Sequence, residues 1–182
     1  MSKLMAGLLL VFLDFNLTIN NAEIGLLPDF VGYAVMLKGL AELSQESAYF
    51  QKIRPYTIGM IIYTGILYGM DLVGFSPSLG IFSYILALLS TAVSLYISYS
   101  IVMGVKDLEI RLHTPLNGEG LYSAWIFLAV MNVVVYVSLL VPFLAILCII
   151  AALIGAVWFL IAFSRTKNLY DQQGGSRPGA ET

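Results

Sequence analysis

Charge is scarce in this chain. Of its 182 residues only 11% are Asp, Glu, Lys or Arg, whereas soluble domains carry about 25%. That shortage excludes an ordinary water-soluble domain, because a small polar surface has no means of covering so much apolar sequence. Cysteine and histidine are nearly absent too. Cys148 is the single cysteine, so no intrachain disulfide can form and a cysteine metal site has no partner cysteine. It lies deep in an apolar run and reads as a small buried hydrophobe. His113, the single histidine, sits among charged residues in "EIRLHTP" without metal-ligand spacing and reads as a solvated loop residue. No P-loop, HExxH or nucleophile-elbow pattern occurs, and no serine has a general base at a helical step. These absences exclude self-driven ATP-coupled transport and leave catalysis without support. No enzyme activity, cofactor or nucleic-acid partner is expected.

What the chain has in abundance is apolar sequence, 59% hydrophobic residues with a mean hydropathy of +0.89. A helix crossing the hydrocarbon layer needs roughly 20 such residues. Residues 56–73, 79–105, 121–141 and 143–163 meet that length, the last two separated by Pro142, a natural helix stop. Two shorter segments, 4–19 and 28–43, cross with their ends drawn in or lie partly at the interface. The first lacks a small-x-small cleavage site and is expected to be retained. The expected fold is therefore all-α: a polytopic transmembrane helical bundle of six helices in three hairpins, one domain over residues 1–168. The polar, glycine-rich tail 169–182 is expected to be disordered and cytoplasmic.

Charge sign orients the bundle, because short cytoplasmic loops carry the Lys and Arg excess. With both termini inside, Lys3, Lys52, Arg54, Lys106, Arg111, Arg165, Lys167 and Arg177 are all cytoplasmic. Lys38 lies in the inner half of segment two, where its long stem snorkels. The outer turns contain no Lys or Arg, and every outer charge is acidic: Asp14, Glu23, Asp29 and Asp71.

Three aspartates at similar depth near helix ends are candidates for a cation or cationic-ligand site. Asp14, Asp29 and Asp71, with Asn16, Asn20 and Asn21, supply hard oxygen ligands, and Tyr33 and Tyr68 stand nearby. Their spacing matches no calcium loop, so any metal is unspecified. The competing reading is structural: Pro28-Asp29 has the form of a helix start, with a carboxylate at the positive dipole end. Deeper in the chain, Asn132 falls mid-segment, where its amide is expected to bridge to a neighbouring helix or to contact a substrate. Lys38 and Glu42 are four apart and able to pair. Gly65 and Gly69 on segment three, and Ser90, Ser94 and Ser98 on segment four, have the spacing of close helix approach. Tyr96 and Tyr99 are placed to line a pocket; Tyr33, Tyr122 and Trp125 are placed equally well as interface anchors.

The stretch "IGLLPDFVGYAVMLKGL", residues 24–40, carries Leu27, Pro28, Asp29, Phe30, Gly32 and Tyr33 in an LPDFxGY-type signature. It resembles a group of small uncharacterised multi-pass membrane proteins of Gram-positive bacteria. The resemblance covers the first quarter of the chain and implies a bacterial plasma-membrane setting, without an activity. The expected function is thus a non-enzymatic membrane protein: a small transport, solute-binding or accessory subunit with an outward-facing acidic site. The alternative is a structural or regulatory partner of another membrane protein, or a homo-oligomer, joined through the Gly/Ser helix faces. An intramembrane enzyme stands third. The bilayer itself is the one certain partner.

Overall fold

The structure, a computed structural model of the chain, describes residues 1–12, 16–19, 22–25, 28–72, 81–138 and 142–174. Among these residues six helices and one hairpin follow in the order α1 (Ser2–Phe12), β1 (Asn16–Ile19), β2 (Ala22–Gly25), α2 (Asp29–Leu43), α3 (Ala48–Leu72), α4 (Ile81–Leu112), α5 (Gly118–Ser138) and α6 (Pro142–Gly174). The helical class expected from the sequence holds for these six elements. Ile85–Leu112, Gly118–Val135 and Ile146–Gln173 are long and apolar enough to cross a membrane. Along α6 the apolar side chains of Ile146, Ile150, Leu153, Ile154 and Ile161 are exposed, which suits a hydrocarbon surrounding and not water.

Two boundaries differ from expectation. Segment 4–19 is not one helix: α1 stops at Phe12, and residues 16–19 form β1, antiparallel to β2. Leu17, Thr18 and Ile19 carry branched side chains, Thr18 and Ile19 at Cβ, a type that fits a strand better than a helix end. The register pairs Asn16 with Gly25 and Ile19 with Ala22. Asn20 and Asn21 lie outside the described residues. At the other terminus, α6 runs on to Gly174, so residues 169–174 of the expected disordered tail are helical. An i,i+4 ion pair of Lys167 with Asp171, at 3.5 Å, supports that extension. Residues 175–182 lie outside the described residues.

The chain divides into two compact units whose boundary falls within α4, one being Ser2–Ile97 and the other beginning at Ser98 and taking in Met1. In the first, α1 and α2 pack antiparallel at backbone contact. A Cβ added at Gly7 would lie 2.6 Å from the Met36 nitrogen, and one at Gly39 would lie 2.7 Å from the Leu4 nitrogen. At Gly32 it would meet Val11 at 2.8 Å. Gly32 and Gly39 are two helical turns apart, so together they form one smooth face. Leu4, Leu8, Met36, Leu40 and Leu43 fill the flanks of this seam and are buried. Lys3 on α1 takes Glu42 as its ion-pair partner. The Lys38–Glu42 pairing expected within α2 is thereby replaced, and Lys38 is exposed. The opposite side of α2 packs on α3, where Phe50 and Ile53 are fully buried.

In the second unit α5 packs against α6, with Leu121, Ala124, Leu128, Phe159 and Phe163 buried and Phe127 edge-on to Trp158 at 5.6 Å. Between α4 and α5 the chain turns through two non-glycine residues with positive φ, His113 at 50° and Asn117 at 64°. The Glu109 carboxylate secures this turn, accepting from the Leu116 amide at 2.8 Å and from the Gly118 amide at 3.2 Å. It thereby satisfies an orphan donor at the start of α5. A Cβ at position 118 would run into that carboxylate. Beside it, Lys106 bridges to Glu119 at 2.7 Å and lies 5.0 Å from the centre of the Tyr122 ring.

Two outcomes are expected. Gly39→Leu forces α1 off α2 and lowers stability by about 1 to 3 kcal/mol or more, read as a drop in thermal midpoint in detergent. Glu109→Ala removes a cap and costs about 1 to 2 kcal/mol, whereas Glu109→Gln, which keeps one acceptor, costs less in the same melt.

Candidate functional site

Of the acidic outer cluster, Asp14, Asn20 and Asn21 fall outside the described residues. Asn16 opens β1 and Asp71 stands near the end of α3, and the structure describes only the backbone at both positions. Asp29 is the first residue of α2, half-buried, after Pro28 at φ −62° and ψ 132° with no side-chain cap bond. A carboxylate here complements the positive helix end. One turn later Tyr33 is buried at 3% exposure and donates to the Ser94 hydroxyl of α4 at 3.2 Å. Tyr68 on α3 meets Phe30 edge to face, with ring centres 5.7 Å apart. The first turns of α2 thus set Asp29 one turn before Tyr33 and Phe30 against Tyr68. Among the described residues no three His, Cys, Asp or Glu side chains are grouped to hold a metal ion.

The small-residue faces behave differently from their spacing. Gly69 has open space where a side chain would stand, and Gly65 meets only the Cβ of Phe30, at 3.9 Å. Neither is a close crossing point. The α4 serines take three separate roles. Ser94 accepts from Tyr33. Ser98 accepts from the Trp125 indole N–H at 3.1 Å, and Trp125 in turn tilts against Tyr99 at 4.9 Å. Ser90 donates to the Ala87 carbonyl of its own helix at 3.0 Å. Asn132 likewise donates back, to the Leu128 carbonyl at 2.9 Å, where a bridge to a neighbouring helix was expected. An i−4 carbonyl is the nearest acceptor a helical side chain can reach.

Within the first unit, α3 and α4 line a half-open pocket of about 320 Å³, with Tyr56 46% and Leu89 60% exposed. Tyr56, Gly59, Met60 and Tyr63 form its α3 wall, at the i, i+3, i+4 and i+7 positions of one helix face. Leu86, Leu89, Ser90 and Val93 form the α4 wall, and Pro55 completes the lining. The cavity exists where Gly59 presents no side chain, since a Cβ there would meet nothing within 4 Å. Tyr56 also packs edge to face with Tyr96, ring centres 5.1 Å apart. Among the described residues no carboxylate, amine, imidazole or thiol lines the pocket. Its polar atoms are three hydroxyls, and those of Tyr56 and Tyr63 have no hydrogen-bond partner among the described residues.

Reading the sequence found Ser90 and the neighbouring Tyr96 but passed over Tyr56, Gly59 and Met60. The signal was present, as two tyrosines seven residues apart with glycine between them on the same face. Comparison with protein-family models, with curated proteins and with solved structures finds no match to the chain.

Proposed function

We propose that the chain is a non-enzymatic integral membrane protein of a bacterial plasma membrane, acting as a small solute-binding or accessory subunit in transport. It crosses six times with both termini in the cytoplasm. The placement of Lys and Arg supports this orientation. The α1–α2 pair is the tightest part of the crossing set, although at 11 and 15 residues the helices are only about 16 and 22 Å long. Asp29, with Asp14 and Asp71 at the same end of their segments, keeps that surface acidic.

The observation that carries the binding reading is the α3–α4 pocket. Its volume lies within the roughly 300 to 1,000 Å³ of small-molecule sites, and its lining is mostly apolar with a few placed polar groups. A second reading, a regulatory partner of another membrane protein, draws on the open face of α3. There Ile62 and Ile66 are each 58% exposed and Gly69 faces empty space.

Native mass spectrometry of the purified chain distinguishes the two. A bound small molecule in the wild type that is lost in Gly59→Leu supports the binding subunit; identical spectra for both proteins remove it. A stoichiometric protein partner lost in Gly69→Leu supports the second reading instead. Topology is read separately in a Cys148→Ala background. Asn20→Cys is expected to react with an impermeant maleimide on intact cells, and Thr182→Cys only after permeabilisation; the reverse pattern overturns the orientation.

A further inference from the structure

We infer that the α3–α4 pocket takes an uncharged amphiphile, a single aliphatic chain ending in one hydroxyl or carbonyl group, which enters from the surrounding lipid. This rests on the binding reading above and names its ligand class. The walls of Pro55, Met60, Leu86, Leu89 and Val93 match an aliphatic chain, and methionine adapts to irregular apolar shapes. Charge is what the site lacks. Lys52 and Arg54 stand on α3 but do not line the pocket, and no acidic side chain among the described residues does. A phosphate, carboxylate or ammonium entering it would lose its hydration without gaining an opposite charge, a large cost in a low-dielectric setting.

The hydroxyl inventory sets the head group. Tyr56 and Tyr63 each bring an O–H that has no acceptor among the described residues. Ser90 already gives its proton to the Ala87 carbonyl, which leaves its oxygen as an acceptor. Two donors and one acceptor complement an alcohol in full and a carbonyl in part. A purely apolar chain would leave all three unanswered; Tyr56 is 46% exposed, so the cost falls on the half-buried Tyr63 and Ser90.

The test uses the full chain in phosphatidylcholine vesicles with a diazirine-bearing 1-dodecanol as photolabel, the labelled peptides being mapped by mass spectrometry. Label is expected on the α3 and α4 peptides that line the pocket. Unlabelled 1-dodecanol is expected to compete about tenfold better than dodecanoate, dodecylamine or dodecane, about 1.4 kcal/mol in binding. The double variant Tyr56→Phe, Tyr63→Phe, which keeps both rings, should lose most of that preference over dodecane. Gly59→Leu should lose the label altogether while remaining helical and monodisperse, since the added Cβ meets open space. Labelling that is spread over the lipid-facing helices, or that persists in Gly59→Leu, overturns the pocket as a site and the binding reading with it. Labelling confined to the pocket, but competed equally by the charged or purely apolar probes or indifferent to the tyrosine hydroxyls, overturns the ligand class alone.

Discussion

The first unit depends on a backbone-to-backbone contact between two short helices. Gly7, Gly32 and Gly39 let α1 and α2 approach until main-chain atoms touch, and dispersion over so close an interface is what stabilises helix pairs that lipid would otherwise solvate equally well. Everything downstream is referred to α2. Its other side seats α3, its Phe30 holds Tyr68, and its Tyr33 hydroxyl reaches Ser94 on α4. The helices that wall the pocket are thus both anchored to one element.

Apolar length, loop charge and helix stops were legible because each is a property of consecutive residues. They gave the helical class, whereas Pro142, expected as a helix stop, is the first residue of α6. The closest contacts were not legible in that way. Gly65 and Gly69 have the familiar four-residue spacing yet face open space, while the seam in use pairs Gly32 and Gly39, seven apart, with Gly7 of another helix. Nothing local marks which glycine meets a partner. Glu42 illustrates the same point. Lys38 is its neighbour by helical spacing, but the antiparallel packing of α1 delivers Lys3 instead. The α6 extension past residue 168 was masked by composition, since a polar stretch with an i,i+4 ion pair reads as tail until the helix before it is seen to continue. Of the candidate site, only Asp29, Tyr33 and Tyr68 have described side chains.

Hydroxyl groups in an apolar surrounding must find partners, and the α4 serines show how differently identical residues do so. Ser94 and Ser98 each receive an aromatic donor, a phenol and an indole. Such pairs join helices at the distance of a large ring, so serine spacing here reports aromatic bridges and not close packing. Ser90, Thr57 and Thr64 turn back to their own helices. The half-buried phenol of Tyr63 departs from that pattern, being unbonded among the described residues, while the unbonded phenol of Tyr56 belongs to a residue 46% exposed.

Glycine sharpens the contrast. In a helix interior it is less favourable than alanine by about 1 kcal/mol, and at Gly7, Gly32 and Gly39 the gain from close packing offsets that. At Gly59 no neighbouring atom lies within 4 Å, so within the chain no packing offsets it. A leucine or alanine there would fill the space beside Met60 and Tyr63, and the pocket would shrink accordingly. The unfilled volume and the phenols of Tyr56 and Tyr63 therefore occur on one face of one helix, the face on which the proposed binding reading rests.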